Sequence, residues 1–167
     1  MRILAIDPAI RNTGYAVIEG DHRDAQSLDY GTISLPQRLP QSACLLAIHD
    51  YLSALIGKWQ PEEMAIERII YVQSHKTAII MGSARAAVIL AAARHGLKIM
   101  EYSPTSVKLA AVGNGSAQKS QVAFMMRALL HLTETPAPDA ADALAIAFAH
   151  LCSSDPLKAS LLDRQYI

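Results

Sequence analysis

The order of apolar segments along the chain constrains its fold more than any other feature of the sequence. Three short strand-like runs come first, and helix-like and strand-like segments then alternate. The strand-like runs are continuously apolar or alternate with period two, as strands in a buried sheet do. The predicted strands are residues 2–7, 13–19, 28–35, 63–69 and 97–102. The predicted helices are residues 42–59, 74–95, a short one from Pro104, 116–130 with Ser116 as its cap, and 138–151.

This order predicts one α/β domain of RNase H-like architecture. Strands joined by short turns pair antiparallel, whereas strands joined through a helix lie parallel. The three leading strands therefore form an antiparallel meander, and the fourth and fifth run parallel to the first. We expect a five-stranded mixed sheet with helices on both faces. The domain should cover residues 1–151, followed by a polar, frayed C-terminal tail over residues 152–167.

Composition excludes several classes of protein. Of the 167 residues, 51% are apolar and 18% charged, so the chain can bury a core and is not disordered. Cys44 and Cys152 are far apart and lack metal-ligand spacing, which fits a reducing compartment. The sequence lacks both an uncharged apolar run long enough to span a membrane and a signal peptide, so we predict a cytoplasmic protein.

The zero net charge conceals an uneven distribution. Residues 1–67 carry a net charge of −4, residues 68–127 a net +7 with Glu101 as their single acid, and residues 128–167 a net −3. A basic middle between acidic flanks is typical of a phosphate-binding surface beside a cation-binding carboxylate site. Solvated lysines and arginines spread over several faces would explain the same distribution, and charge alone does not separate the two interpretations.

Four carboxylates are candidates for one site. Asp7 ends the first predicted strand and Glu67 lies near the end of the fourth, where the crevice of an open sheet forms. Asp139 and Asp142 share one face in the first turns of the last helix. Together they would suit magnesium or manganese, and two such ions can activate water and stabilise a leaving phosphodiester oxygen. Taken singly, Asp139 fits an N-cap and Asp142 a first-turn helix acid, whereas Glu67 inside an apolar strand needs a partner.

Four segments around these residues resemble the bacterial RuvC family of Holliday-junction resolvases over residues 2–150. They are IDPAIRNTGYAVIE (6–19), AIERI (65–69), YSPTSVKLAAVGNGSAQKSQV (102–122) and DAADALAIAFAH (139–150). The resemblance implies an RNase H-like homodimer that makes paired, magnesium-dependent symmetric nicks in four-way DNA junctions during recombination and repair.

The same resemblance assigns residue roles. It places catalysis and metal binding, by two Mg²⁺ ions or substituting Mn²⁺, on Asp7, Glu67, Asp139 and Asp142. It places DNA binding on Lys108 and Lys119, and it suggests a RuvA–RuvB-type branch-migration motor as partner.

Four positions depart from the family pattern, one of them Ala16, where the pattern TGYG appears as Thr13-Gly14-Tyr15-Ala16. Ala9 stands where glycine is usual, Arg68 stands where glutamine follows the catalytic glutamate, and Ile70 stands where an aromatic residue is usual. On a strand, Arg68 should face away from Glu67. Junction opening requires a wedge between bases, and Tyr71 can both wedge and stack. We predict that Tyr71 acts as the wedge with Ile70 as apolar support; the alternative is that Tyr71 packs against the following helix.

Two rival functions use similar features. A catalytically silent junction-binding protein would keep the basic middle but lose carboxylates, and all four are present. An actin-like nucleotide phosphotransferase also uses an early acidic strand, but it needs a second domain for which 167 residues leave little room. The helix over residues 74–95 is rich in alanine and poor in charge, so it is the predicted dimer contact; the alternative is a single buried helix, which the alanine content also permits.

Overall fold

A computed structural model describes residues 1–70 and 74–167 of the chain. Within them, six strands form one mixed sheet in the order β3-β2-β1-β4-β5-β6. The strands are β1 (Arg2–Asp7), β2 (Asn12–Gly20), β3 (Ala25–Ser34), β4 (Glu63–Glu67), β5 (Lys98–Tyr102) and β6 (Arg164–Tyr166). As predicted, β1, β2 and β3 pair antiparallel, and β4 and β5 run parallel to β1.

Helices cover both faces of the sheet, which confirms the RNase H-like α/β prediction. They are α1 (Gln41–Trp59), α2 (His75–Arg94), α3 (Pro104–Val112), α4 (Lys119–Leu129), α5 (Pro138–Cys152) and α6 (Pro156–Ala159). Because side chains alternate along a strand, Leu4 and Ile6 pack on α1 and α2, whereas Ile3 and Ala5 pack on α3, α4 and α5. This alternation determines which face each residue at a strand end will join.

The sheet has one strand more than the five predicted. Residues 164–166, expected to fray, pair antiparallel with β5, so that Tyr102 lies opposite Arg164. Strand β6 is polar, so no apolar alternation marks it in the sequence. It forms by pairing with β5, which would otherwise be the edge strand of the sheet. The C-terminal segment therefore becomes part of the scaffold.

The cap of α4 also differs from its prediction. Gln118, rather than Ser116, is the N-cap, and it forms a capping box with Gln121. The Ser116 hydroxyl and backbone N–H instead bind the Asn114 side chain in the preceding turn. Gln118 and Gln121 thus provide the N-terminal capping of α4 that was expected from Ser116.

Helix α5 is the most deeply buried helix of the domain. From Ala140 to Cys152 every residue except Asp142 is buried. Its alanines bring the helix backbone close to the sheet, and at its first turn this approach reaches β2. A Cβ built on Gly14 would lie 2.0 Å from the carbonyl oxygen of Asp139. Only glycine therefore fits at position 14, and this contact fixes where α5 begins.

Candidate active site

Asp7 and Glu67 end two adjacent parallel strands on the same face of the sheet. The β1–β4 ladder runs up to the pair Ile6–Ile66, so the two acids follow side by side. Both continue the strand positions that face α5, since Ala5 and Ala65 belong to the core on that side. The carboxyl ends of neighbouring parallel strands thus bring together two acids that are far apart in sequence.

Helix α5 brings the other two acids to this edge. Its N-cap is Ala137, so the interpretation of Asp139 as an N-cap is wrong. Asp142 lies in a pocket of about 310 Å³ together with Asp7 and Glu67. Asp139 is partly exposed and sits one turn earlier, where its backbone touches Gly14, the strand partner of Asp7. The structure thus gathers three of the acids in one pocket and places the fourth at its margin.

Two lysines complete the pocket. Lys108 from α3 and Lys119 from the first residue of α4 line it, together with Pro104, Val107 and Val122. The Lys119 Nζ donates to Asp142 Oδ2 at 2.5 Å, and this hydrogen bond raises the pKa of Lys119. The basic middle of the sequence therefore does contribute cations directly beside the acidic cluster.

Burial makes the ionised acids costly here. Burial raises the pKa of Asp7 to about 6, and the Asp142 carboxylate adds to the rise. Burial likewise raises the pKa of Glu67 to about 7, with Asp7 as the next cause. Both lysines oppose the rise at Glu67. Oxygen ligands that repel one another in a half-buried pocket are a donor set that a divalent cation would stabilise.

In the described part of the chain, the acidic side chains do not form a closed set of ligands around one metal position. Across residues 1–70 and 74–167, no three Asp, Glu, His or Cys side chains lie close enough to share one metal ion. Asp142 is instead held by Lys119. Carboxylate oxygens remain the ligands that Mg²⁺ prefers, so the residues fit the ion by their chemistry.

The residues after Glu67 take different directions. As predicted, Arg68 does not line the pocket, and its side chain binds Glu101 and Asp163 instead, although the residue does line a neighbouring groove. Ile70 is 63% exposed and lines a second groove of about 220 Å³ that shares Asp7 and Glu67 with the pocket. Tyr71, the predicted wedge, lies outside the described residues.

Sequence reasoning missed two features of this site. Gly14 was part of a recognised motif, but its contact with Asp139 is tertiary and leaves no local pattern. Glu101 is buried and bound by two arginines on the reverse face of β5. Its isolation as the one acid in a basic segment was a signal that could have marked it.

Comparison with known proteins agrees with this geometry. The family model described as crossover junction endodeoxyribonuclease RuvC matches residues 3–150. The RuvC of Akkermansia muciniphila is 70% identical over the whole of both chains. That of Halothermothrix orenii is 44% identical over 151 residues, which cover 90% of this chain and 92% of its own.

Solved structures give the same result. Thermus thermophilus RuvC in complex with a Holliday-junction substrate superposes with a TM-score of 0.88 at 30% identity, covering 99% of each chain. The yeast mitochondrial resolvase Ydc2, at 17% identity and a TM-score of 0.64, shares the fold; the match covers 90% of this chain and 77% of its own. The family predicted from the four motifs is confirmed. The chain belongs to the RuvC family of crossover junction endodeoxyribonucleases.

Proposed function

We propose that this protein resolves four-way DNA junctions by metal-dependent hydrolysis of a phosphodiester in the pocket of Asp7, Glu67 and Asp142. The observation that carries the proposal is the convergence of these acids with Lys108 and Lys119 in one open pocket. Acids alone would suit many cation sites, and lysines alone many anion sites. Their adjacency suits a phosphate held between a metal and an ammonium group.

The proposed metal ligands are Asp7, Glu67 and Asp142, with Asp139 completing the set from the margin of the pocket. The family is one of metal-dependent nucleases, and the ion proposed is Mg²⁺, two per site. When bound, such ions activate a water and stabilise the leaving oxygen of the phosphodiester. The protein's part is to hold the carboxylates at the sheet edge and the lysines beside them.

The test is incubation with a mobile four-way junction in Mg²⁺. Nicks at symmetric positions on two strands of like polarity would support the proposal, and a linear duplex of the same sequence serves as control. Cleavage of the duplex at the same rate would contradict junction specificity. Tight ATP binding without junction binding would instead favour the phosphotransferase alternative.

Lys108 and Lys119 are proposed to bind DNA phosphates, and this gives a measurable prediction. Lys108→Ala or Lys119→Ala should weaken junction binding and lower the slope of log K against log salt by about one unit each, because each removes one phosphate contact. The measurement is fluorescence anisotropy over a salt series in EDTA. Lys58→Ala is the matched control, since Lys58 is 60% exposed on the opposite side of the sheet.

An unchanged slope in both variants would show that these lysines are ordinary surface residues. Loss of slope in Lys58→Ala as well would mean that the effect is one of overall charge.

A homodimer is proposed through α2 and the adjacent part of α1. Helix α2 reaches a mean hydropathy of 1.4, which would suit a membrane span, yet one side of it packs in the core and Arg85 lies in its middle. On its outer side Ile79 is 69% and Leu90 62% exposed, and Leu90 joins a groove of about 340 Å³ that reaches α1. A self-complementary apolar face of this kind suits an isologous contact.

Leu90→Glu is therefore expected to shift the protein from dimer to monomer, because it places a charge in that face. Light scattering at micromolar concentration measures the change. Leu157→Glu, at a leucine 83% exposed on α6, is the control and should leave the mass unchanged. A wild-type protein that is monomeric would contradict the proposal.

The RuvA–RuvB-type motor remains a proposed partner on family grounds.

Junction opening by Tyr71, with Ile70 as apolar support, stays a prediction. Because base stacking on an aromatic ring contributes about 1–3 kcal/mol, Tyr71→Ala should cut the 2-aminopurine fluorescence rise at the junction centre and slow nicking about tenfold. Ile70→Ala should have a smaller effect. An unchanged signal in Tyr71→Ala would exclude it as the wedge.

A further inference from the structure

An ion cluster centred on one buried carboxylate lies on the reverse face of the sheet, directly behind the active site. We define the Glu101 cluster as Glu101, Arg68, Arg85 and Asp163. Glu101 is 8% exposed and receives the Arg68 Nε at 2.9 Å and an Arg85 guanidinium nitrogen at 2.6 Å. Arg68 also donates to Asp163 at 2.7 Å. One buried carboxylate thus joins β5, the segment after β4 and helix α2.

Both arginines also connect to the backbone around Glu67. Arg85 donates to the backbone carbonyl of Glu67 at 3.3 Å. The backbone N–H of Arg68 donates to the carbonyl of Tyr102 at 2.8 Å. Glu67 is the last residue of its strand, and beyond the Arg68 N–H bond to Tyr102 the sheet ladder no longer fixes the chain. The Glu101 cluster then holds the chain in place at Glu67, the residue whose carboxylate faces the pocket.

Asp163 carries this connection into the C-terminal segment. Its backbone N–H donates to Ser106 Oγ at 2.7 Å, and its carbonyl accepts from the Ser103 N–H at 3.2 Å. Ser103 is the N-cap of α3, the helix that carries Lys108, and its hydroxyl accepts from the N–H of Ser106 in the first turn of that helix. The cluster therefore couples the strand end that bears Glu67 to the helix that bears a phosphate-binding lysine.

Ion pairs around a buried carboxylate such as Glu101 are a poor source of net stability, because desolvation of the charges offsets their attraction. What such a network does provide is a fixed geometry for its side chains and the backbone they bind. We propose that Glu101 is a positioning residue of the nuclease, which orients Glu67 through Arg85 and holds the following segment through Arg68. The proposal rests on the proposed function of the pocket, although metal binding tests it independently.

The test compares Glu101→Gln with Asp29→Asn. Asp29 is a matched control, since its carboxylate also accepts from side chains of other elements, Trp59 at 2.9 Å, Lys58 at 3.3 Å and Tyr15 at 3.4 Å, but away from the pocket. Both variants lose one charge from a network. Mn²⁺ affinity is measured by calorimetry without DNA, and kcat and KM are measured with the junction.

Glu101→Gln should weaken Mn²⁺ binding about tenfold and lower kcat by a similar factor, as loss of an outer partner of a metal site does. Junction KM should stay within twofold, and Asp29→Asn should change none of these. Wild-type Mn²⁺ affinity and kcat in a folded Glu101→Gln protein would overturn the proposal, whatever its melting temperature.

If Glu101→Gln fails to fold, Arg85→Lys decides the question. Lysine keeps the charge next to Glu101 but lacks the forked donor that also reaches the Glu67 carbonyl. It should reproduce the loss of Mn²⁺ affinity with junction KM unchanged, and a wild-type Mn²⁺ affinity would overturn the proposal. Absence of junction nicking by the wild type would refute the proposed function instead, while the Mn²⁺ comparison would still decide the role of Glu101.

Discussion

The Asp7→Asn variant is expected to nick junctions at least ~10³-fold more slowly than the wild type while binding them with unchanged affinity. Asparagine preserves the shape of the side chain but removes the charge that a cation would bind, and a metal contributes several kcal/mol to hydrolysis, each 1.4 kcal/mol being about tenfold. Lys108 and Lys119, the proposed DNA-binding residues, stay in place beside the pocket. Binding and chemistry should therefore separate in this one variant.

Single-turnover nicking in Mg²⁺ and anisotropy in EDTA measure the two properties. Asp50→Asn, at a carboxylate 64% exposed on α1, is the control and should behave as wild type. Substantial magnesium-dependent nicking by purified Asp7→Asn protein would remove Asp7 from the proposed site.

The same variant should be more stable than the wild type when no metal is present. The folded-state pKa of Asp7, about 6, lies above its ordinary value of 3.8. The wild type therefore loses stability as the pH rises from about 4 to about 6, because over that range the folded state must give up the Asp7 proton and keep an ionised carboxylate in the pocket at a cost. Asparagine avoids this cost, so the gain should approach about 3 kcal/mol at pH 8 and shrink toward pH 4. Urea unfolding in EDTA at pH 5 and pH 8 measures it, and a gain that is larger at pH 5 would contradict the cause.

Gly14→Ala is expected to reduce nicking about 100-fold and to destabilise the fold by about 2–3 kcal/mol. The added Cβ would meet the Asp139 carbonyl oxygen at 2.0 Å, so either β2 or the start of α5 has to move. Overpacking has this cost in stability, and a shift of about 1 Å in a catalytic group has this cost in rate. Gly14→Ala should have both effects although it removes no functional side chain.

Gly57→Ala is the matched control for this prediction. Gly57 lies in α1, and a Cβ there meets nothing within 4 Å. Alanine should stabilise that helix by about 0.5–1 kcal/mol and leave nicking unchanged. Normal nicking by Gly14→Ala would show that the contact between β2 and α5 does not position Asp139 and Asp142.

Most of the fold could be predicted because its information is local. Turn residues, apolar alternation and helical spacing give the order of the first five strands, and crossover rules then give their directions. The strand Arg164–Tyr166 could not be found in this way, since it is short, polar and stabilised by the edge of β5. The cap at Gln118 was missed because a glutamine capping box competes with a more usual serine.

For the same reason, only part of the candidate site could be predicted from the sequence. The adjacency of Asp7 and Glu67 follows from topology, since both end parallel strands that are neighbours in the sheet. The pairing of Lys119 with Asp142 and of Glu101 with two arginines depends on side chains from different elements meeting in space. No periodicity encodes such meetings, so they become visible only in three dimensions.

The deep burial of α5 has a consequence for the making of this enzyme. The helix that brings Asp142 to Asp7 is among the last elements of the chain, whereas Asp7 belongs to the first strand. During synthesis the early strands emerge well before the helix that must pack across them, and domains fold as units. A growing or prematurely ended chain therefore has the acids of the sheet without those of α5. Nuclease activity should therefore arise only after α5 has been made and has packed across the sheet.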